Sequence, residues 1–451
     1  MAQTFKQLKL PLWSTGASRE TQRSEQTSTA ATGNEGPGTR ALMREVVDHL
    51  NIERAAKRVM SNKGAPGIDG MPVGELAGWV HKHWPEVREQ LLAGTYEPSP
   101  VRRVMIPKRG GGERMLGIPT VIDRLIQQAI LLVLQPHIDP TFSDHSYGFR
   151  PGRSAHDAVS QMRDIVVEGR VWVVDIDLEK FFDRVNHDIL MDRLAKRVED
   201  REVLRVIRRY LNAGVMVDGV KVVRDDGTPQ GGPLSPLLAN VYLDEVDKEL
   251  EQRGHAFVRY ADDLRVLVKS KRAGERVMRW LVKRFGKLKL RVNESKSTVA
   301  RVYERPFLSF SLWEDKEGRP KIGVASKAMG AMKERVRELT KRTRGRAVKQ
   351  VVAELSAYLL GWWNYFGITE APGKIQAVEG WMRRRVRCLI LSQYKKPKRA
   401  YKALRALGAS DKVARRVAAH IRHKWRISTG RVNRVLTNSY LAALGVPTLV
   451  K

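Results

Sequence analysis

The chain has 451 residues, 42% of them hydrophobic, with 82 Lys and Arg against 49 Asp and Glu and a formal charge of +33. At ~100–200 residues per domain this predicts two to four domains with enough apolar content for real cores, which excludes a disordered basic tail. A folded surface this positive predicts a polyanionic partner such as nucleic acid, the plainer alternative being a charge excess that serves solubility.

The single cysteine, Cys388, excludes an internal disulfide framework and a Cys-rich zinc site, and suits a reducing cytosol. No apolar run reaches the ~18 residues of a membrane span, and the N-terminus lacks a basic-then-apolar signal pattern. A secreted or membrane protein is therefore not expected, and no membrane partner is.

In chain order, residues 14–40 are polar, low in complexity and aperiodic, and read as disordered. Helical spacing of Leu42, Val46, Val47, Leu50 and Ile52 predicts one helix from Ala41 to Met60. The Gly/Pro-rich run SNKGAPGIDG (61–70) ends it. VRRVMIP (101–107) predicts a strand, with a hairpin turn at the glycine triplet 110–112. VIDRLIQQAILLVLQPHI (121–138) predicts a buried helix ended by Pro136. VWVVDIDL (171–178) predicts a β-branched strand, and residues 233–254 a helix with early prolines and a terminal glycine. FVRYADDLRVLV (257–268) predicts strand, tight turn, strand. This mixture suggests an α+β core around an antiparallel sheet. Beyond 326 only helical periodicity remains. Residues 326–451 hold 29 Lys/Arg and 6 Asp/Glu, whereas the first 325 carry 53 against 43. That asymmetry predicts a nucleic-acid-binding module appended to a core.

Two segments carry the chemistry. Asp262 and Asp263 sit at the predicted hairpin tip, where adjacent carboxylates repel unless cations sit beside them. Alone, such a pair also fits a solvated Asp-rich turn. Asp175 and Asp177 end a hydrophobic strand and share a face, because residues two apart on a strand do. Acids in such a strand need a partner or a metal. Asp177 beside Asp262 would offer the oxygen ligands that Mg²⁺ takes, and two such ions are the apparatus of in-line phosphoryl transfer.

The chain resembles a bacterial group II intron reverse transcriptase/maturase, of the class C type that lacks an endonuclease domain. The motifs run in that family's order from about residue 41 to the C-terminus: NKGAPGIDG, IPKRGGGERMLGIPT, SYGFRPGRSAHDA, DLEKFFDRVNHD, GTPQGGPLSPLLANVYLD, RYADD and LKLRVNESKS, then a basic helical region with GWWNYF. The resemblance implies a right-hand polymerase. Residues 1–40 would be a disordered tail, 41–170 the N-terminal extension and fingers, and 171–325 the palm with its antiparallel sheet. Residues 326–400 would form an all-α thumb/maturase domain and 401–451 a basic nucleic-acid-binding segment. It implies an RNA-directed DNA polymerase, with dNTPs, an RNA template and a DNA primer as substrates. Two Mg²⁺ ions, replaceable by Mn²⁺, would serve it. Group II intron RNA and a DNA target would be partners, in the bacterial cytoplasm. Without an endonuclease it would depend on a pre-existing DNA 3′ end.

Residue by residue, the resemblance makes Asp177, Asp262 and Asp263 the catalytic acids and metal ligands, with Asp175 structural. Phe182 becomes the steric gate against a ribose 2′-OH, one of Phe181 and Phe182 being core. Lys108 and Arg114 would grip the triphosphate, the alternative being a basic loop on RNA phosphates. Gln230 would contact nucleotide or template, and Lys296 would be a general acid for pyrophosphate or a surface lysine. Asn62 and Lys63 fall in a lid loop over the template, the alternative being an ordinary turn. Arg150 and Arg153 would touch the template strand. Arg383, Arg384 and Arg385, with Arg387, cover more than one helix face, so part of the run would meet RNA. Trp362, Trp363, Tyr365 and Phe366 read as a helical core. Ser309 stands where the family usually has glycine, which bears on primer handling. Competing readings are a splicing cofactor with a dead polymerase, a domesticated reverse transcriptase in defence or repair, and an RNA-dependent RNA polymerase. The intact acids oppose the first and Phe182 the last.

Overall fold

The structure is a computed structural model, and it describes residues 41–107, 113–217, 220–222, 227, 231–342 and 345–450. The segment 14–40, the glycine triplet, Lys108 and Gln230 lie outside the described residues, as does the side chain of Arg114.

The helix expected from 41 to 60 is two: α1 (Leu42–Val46) and α2 (His49–Ser61). Asp48 makes the break, because its carboxylate accepts from Leu50 N–H at 2.9 Å and Asn51 N–H at 3.4 Å and so starts a new helix. After α3 (Leu76–Leu92), strands β1 (Val101–Pro107) and β2 (Glu113–Ile118) pair antiparallel, from Arg102 opposite Ile118 to Pro107 opposite Glu113. α4 (Val121–Ile138) is buried almost throughout its first ten residues. Thr120 caps it by accepting from Asp123 N–H at 3.1 Å. Pro136 does not end it: the helix runs on to Ile138, since a proline this near the end disturbs only the final turn.

Next come α5 (Ala155–Val167), β3 (Trp172–Ile176), α6 (His187–Ala195), α7 (Arg201–Asn212), β4 (Val215–Val217) and β5 (Val220–Val222). α8 (Ser235–Gln252) is followed by the hairpin β6 (Ala256–Tyr260) and β7 (Asp263–Val268), then α9 (Lys271–Lys287) and β8 (Thr298–Arg301). β9 (Phe310–Glu314) and β10 (Pro320–Val324) form a two-stranded sheet. From there the described chain is helical: α10 (Ser326–Leu339), α11 (Val348–Phe366), α12 (Pro372–Gln393), α13 (Pro397–Ala406), α14 (Asp411–Ala419), α15 (Lys424–Ile427) and α16 (Asn438–Ala443).

One four-stranded sheet has the order β2-β1-β4-β5, another the order β6-β7-β3-β8. The first is mixed rather than antiparallel throughout, because β1 pairs β4 in parallel. The chain forms two compact units, which cut across the five segments expected from the sequence. One holds the described residues up to Ser154 together with Val174–Val299; the other holds Ala155–Val173 and the chain from Ala300. In the second unit Trp362 and Phe366 are buried with ring centroids 4.6 Å apart, while Trp363 and Tyr365 are less buried.

Candidate active site

The hairpin β6–β7 turns in two residues, Tyr260 pairing with Asp263 so that Ala261 and Asp262 form the tip. Ala261 has φ +56°, a conformation a non-glycine residue leaves readily unless held. Arg259 holds it. This guanidinium is 2% exposed and donates from Nη1 to the Ala261 carbonyl at 2.9 Å and to Asn240 Oδ1 at 2.9 Å. Its Nε reaches Asp247 Oδ1 at 2.8 Å. Asn240 and Asp247 lie on α8, and Asn240 Nδ2 also donates to the Gly148 carbonyl at 2.8 Å. Gly148 lies under the tip: a Cβ there would stand 2.4 Å from Ala261 N. The tight turn that presents Asp262 is thus fixed from below by buried polar bonds.

Asp177 follows directly on β3. Its N–H donates to Ser297 Oγ at 3.0 Å, and its carbonyl accepts from Asn293 N–H at 2.8 Å. The side chain is 42% exposed, with Lys296 Nζ 3.2 Å from Oδ2. Arg265, on β7, forms an ion pair with Asp175 on the neighbouring β3 and reaches Asp263 Oδ1 at 3.2 Å. Arg265 therefore links the strand that leads into Asp177 to the strand that opens with Asp263. Asp175, 4% exposed, is buried in its strand, and this pairing answers why an acid stands there.

Among the described residues no group of three or more His, Cys, Asp or Glu side chains is placed to hold a metal ion. In this arrangement protein cations partner the acids, Lys296 at Asp177 and Arg265 at Asp263. The donor chemistry fits a hard cation nonetheless. Asp177, Asp262 and Asp263 are partly exposed carboxylates, and Mg²⁺ characteristically takes one or two of these and completes its shell with water and substrate phosphates.

Of the two aromatics, Phe181 is the core residue at 2% exposure and Phe182 is half-buried, their rings edge-on at 5.1 Å. Beyond Gln230, Gly231 has φ +133°, and a Cβ there would meet the Gly117 carbonyl at 2.6 Å, so only glycine permits this approach to β2. Arg114 stands opposite Ile106 in the β1–β2 register. Asn62 and Lys63 are exposed, just past α2. Their loop docks on α4, where Arg124 Nη2 donates to the Ala65 carbonyl at 2.8 Å.

Arg150 and Arg153 have partners inside the protein. Arg150 is buried: Nε donates to Asp139 Oδ1 at 2.9 Å, Nη1 to the Ser146 carbonyl at 2.9 Å, and Nη2 to the Asp139 carbonyl at 2.9 Å. It braces the loop between α4 and α5. Arg153 pairs with Asp144 at 2.5 Å. In the second unit Arg383 pairs with Glu379 at 3.1 Å, Arg385 Nε donates to Thr340 Oγ1 at 2.7 Å, and the Arg384 guanidinium lies 4.0 Å from the Trp425 ring centroid. Buried Arg387 donates to the Leu436 carbonyl at 2.7 Å. Arg383, Arg384 and Arg387 also line an open hollow of about 510 Å³.

Sequence reasoning missed Arg259, Asp247, Asn240 and Arg265. Their signal was present: an arginine in each apolar strand of the hairpin, and an Asn and an Asp seven apart on one helix face.

A sheet whose neighbouring strands β3 and β7 lead into and open with aspartates, followed in the chain by a run of basic helices, is the pattern of a nucleotidyl-transfer type of core with an appended basic region. Comparison with known proteins gives the family. Residues 106–312 match the model for "Reverse transcriptase (RNA-dependent DNA polymerase)", and residues 329–408 that for "Group II intron, maturase-specific domain". The chain is 33% identical over 302 residues to Protein YkfC of Escherichia coli (strain K12), covering 58% of this chain and 79% of YkfC. It is 38% identical over 195 residues to the group II intron-encoded protein LtrA of Lactococcus lactis subsp. cremoris, covering 43% of this chain and 32% of LtrA. The match thus spans about a third of LtrA's length. Among solved structures, a partial Cas6-RT-Cas1–Cas2 complex shares 27% identity over 51% of this chain and 38% of that one. Its TM-score of 0.36 is too low to assign a fold by itself. The chain belongs to the group II intron-encoded reverse transcriptase/maturase family, with an RNA-directed DNA polymerase domain followed by a maturase domain. Among the described residues no helix is long and apolar enough to cross a membrane.

Proposed function

We propose that the chain adds dNTPs to a DNA 3′-OH on an RNA template, and that it binds group II intron RNA as a splicing maturase. Enzymes of the reverse-transcriptase family depend on divalent metal; here Asp177, Asp262 and Asp263 would hold two Mg²⁺ ions, or Mn²⁺ in their place. When bound, such ions activate the attacking hydroxyl and stabilise the leaving oxygen. The carrying observation is that the strand leading into Asp177 and the strand opening with Asp263 are neighbours in one sheet, linked by Arg265.

The protein's own groups have distinct tasks in this reading. Arg259 and Asn240 hold the hairpin tip so that Asp262 needs no reorganisation during the reaction. Lys296 balances Asp177 and would give a proton to departing pyrophosphate. Phe182, the more exposed ring of its pair, excludes a 2′-OH. Lys108 and Arg114 grip the triphosphate, and Gln230 contacts the nucleotide. The lid loop with Asn62 and Lys63 covers the template, joined there by Arg153; Arg150 braces the loop between α4 and α5 that carries Arg153. The maturase role is supported by the match over 329–408 and by the 29 Lys/Arg against 6 Asp/Glu beyond residue 325. Arg383, Arg384 and Arg385 would meet intron RNA with whichever donors their internal partners leave exposed. Primer extension on an RNA template with Mg²⁺ and dNTPs tests the reading; extension with NTPs at equal efficiency, or none at all, contradicts it.

A further inference from the structure

β7 is an apolar strand: Leu264, Val266, Leu267 and Val268 are buried. A valine at position 265 would suit it, yet Arg265 stands there at 6% exposure. A buried guanidinium is tolerated only when carboxylates neutralise it. Asp175, itself buried, pairs with it from β3, and one carboxylate balances one guanidinium. The contact to Asp263 is therefore surplus to charge balance. Asp263 is 35% exposed in its side chain and needs no buried partner. What the contact does is fix a carboxylate. One oxygen of Asp263, Oδ1, lies 3.2 Å from Arg265 Nη2.

We propose that Arg265 is a positioning residue for the hairpin's second aspartate: by holding Oδ1 of Asp263 it orients that carboxylate toward a divalent cation. The inference rests on the reading of Asp263 as a metal ligand. A carboxylate with both oxygens loose rotates about its terminal bond and must be ordered each time an ion binds. Pinned by a guanidinium that is itself anchored on Asp175, it is ordered beforehand, in the way that hydrogen-bonded outer partners fix metal-ligating carboxylates. The planar fork can serve Asp175 and Asp263 at once, in two directions; a lysine ammonium is a point charge and does this poorly.

The test is Mn²⁺ binding by the full chain, followed by electron paramagnetic resonance without nucleotide, primer or template, so that turnover plays no part. Arg265→Gln is expected to weaken Mn²⁺ binding about 10-fold or more, the usual loss on removing an outer-shell partner. Arg265→Lys should restore it partway. Asp175→Asn removes the anchor of the guanidinium and should weaken Mn²⁺ binding in the same direction as Arg265→Gln, while the protein unfolds more readily. If Arg265→Gln does not fold, the double variant Asp175→Asn/Arg265→Gln, which buries no lone charge, carries the same expectation as Arg265→Gln. A folded Arg265→Gln or double variant that binds Mn²⁺ as the parent does overturns the proposal. Asp262→Asn separates the two levels. If it abolishes binding while Arg265→Gln does not alter it, only the positioning role falls. If neither alters binding, the metal reading falls with it.

Discussion

Lys296 Nζ lies 3.2 Å from Asp177 Oδ2, on a turn that Asn293 and Ser297 tie to the backbone of Asp177 itself. Both side chains are well exposed, Lys296 at 67% and Asp177 at 42%. A pair this open contributes little to folding, typically ~0.2–1 kcal/mol. Lys296→Ala should therefore unfold in urea within about 1 kcal/mol of the parent. If the lysine gives a proton to pyrophosphate, the same variant loses about 10²-fold in the rate of nucleotide addition, with little change in KM. A parent-like rate would leave Lys296 as a surface lysine.

Phe181 and Phe182 divide the work of their pair. Phe181→Ala removes a buried ring and should lower stability by about 3–5 kcal/mol in chemical denaturation. Phe182→Ala should cost less stability and admit ribonucleotides. The ratio of dNTP to NTP incorporation reads this directly, and an unchanged ratio removes Phe182 from the gate.

Ser309 takes φ +69° directly after Leu308 at +49°, in the turn where Phe307 and Phe310 exchange backbone bonds of 2.9 and 2.8 Å. A side chain in the left-handed region costs about 1–2 kcal/mol, offset by glycine's own entropy loss of about 0.5–1 kcal/mol. Ser309→Gly should thus raise stability by about 0.5–1 kcal/mol, seen as a higher urea midpoint at unchanged slope. The Ser309 carbonyl still accepts from Ala325 N–H at 3.0 Å, so the turn keeps its tie to α10. A lower midpoint would show that the serine side chain does something the backbone geometry does not reveal.

Arg150 tests a sequence expectation against the structure. Its guanidinium is buried among Asp139 and carbonyls of its own loop. Arg150→Ala should cost about 3–5 kcal/mol, the range for breaking a buried ion pair from one side. RNA affinity per folded molecule should hardly change. A stable variant with weakened template binding would return the residue to the template strand.

The sequence disclosed what is local. Asp177 follows directly on its strand, Asp262 sits on a two-residue turn with Asp263 opening the next strand, and β1 and β2 flank the glycine triplet, because strand periodicity and turn chemistry act over a few residues. The order of motifs carried the family. What stayed hidden is long-range or polar and buried. Arg265 meets Asp175 from 90 residues away, and Arg150 reads from sequence alone like any exposed RNA-binding arginine. The split of the first helix turned on whether one aspartate, Asp48, would cap. The parallel pairing of β1 with β4 joins segments more than a hundred residues apart, where periodicity gives no direction.

The central claim is that acids from two segments carry nucleotide addition, and Asp262→Asn tests it most directly. Primer extension on an RNA template is measured beside RNA binding for this variant and its parent. The account predicts that extension is lost while RNA affinity stays within about twofold; full extension by Asp262→Asn, or equal loss of both activities, would contradict it.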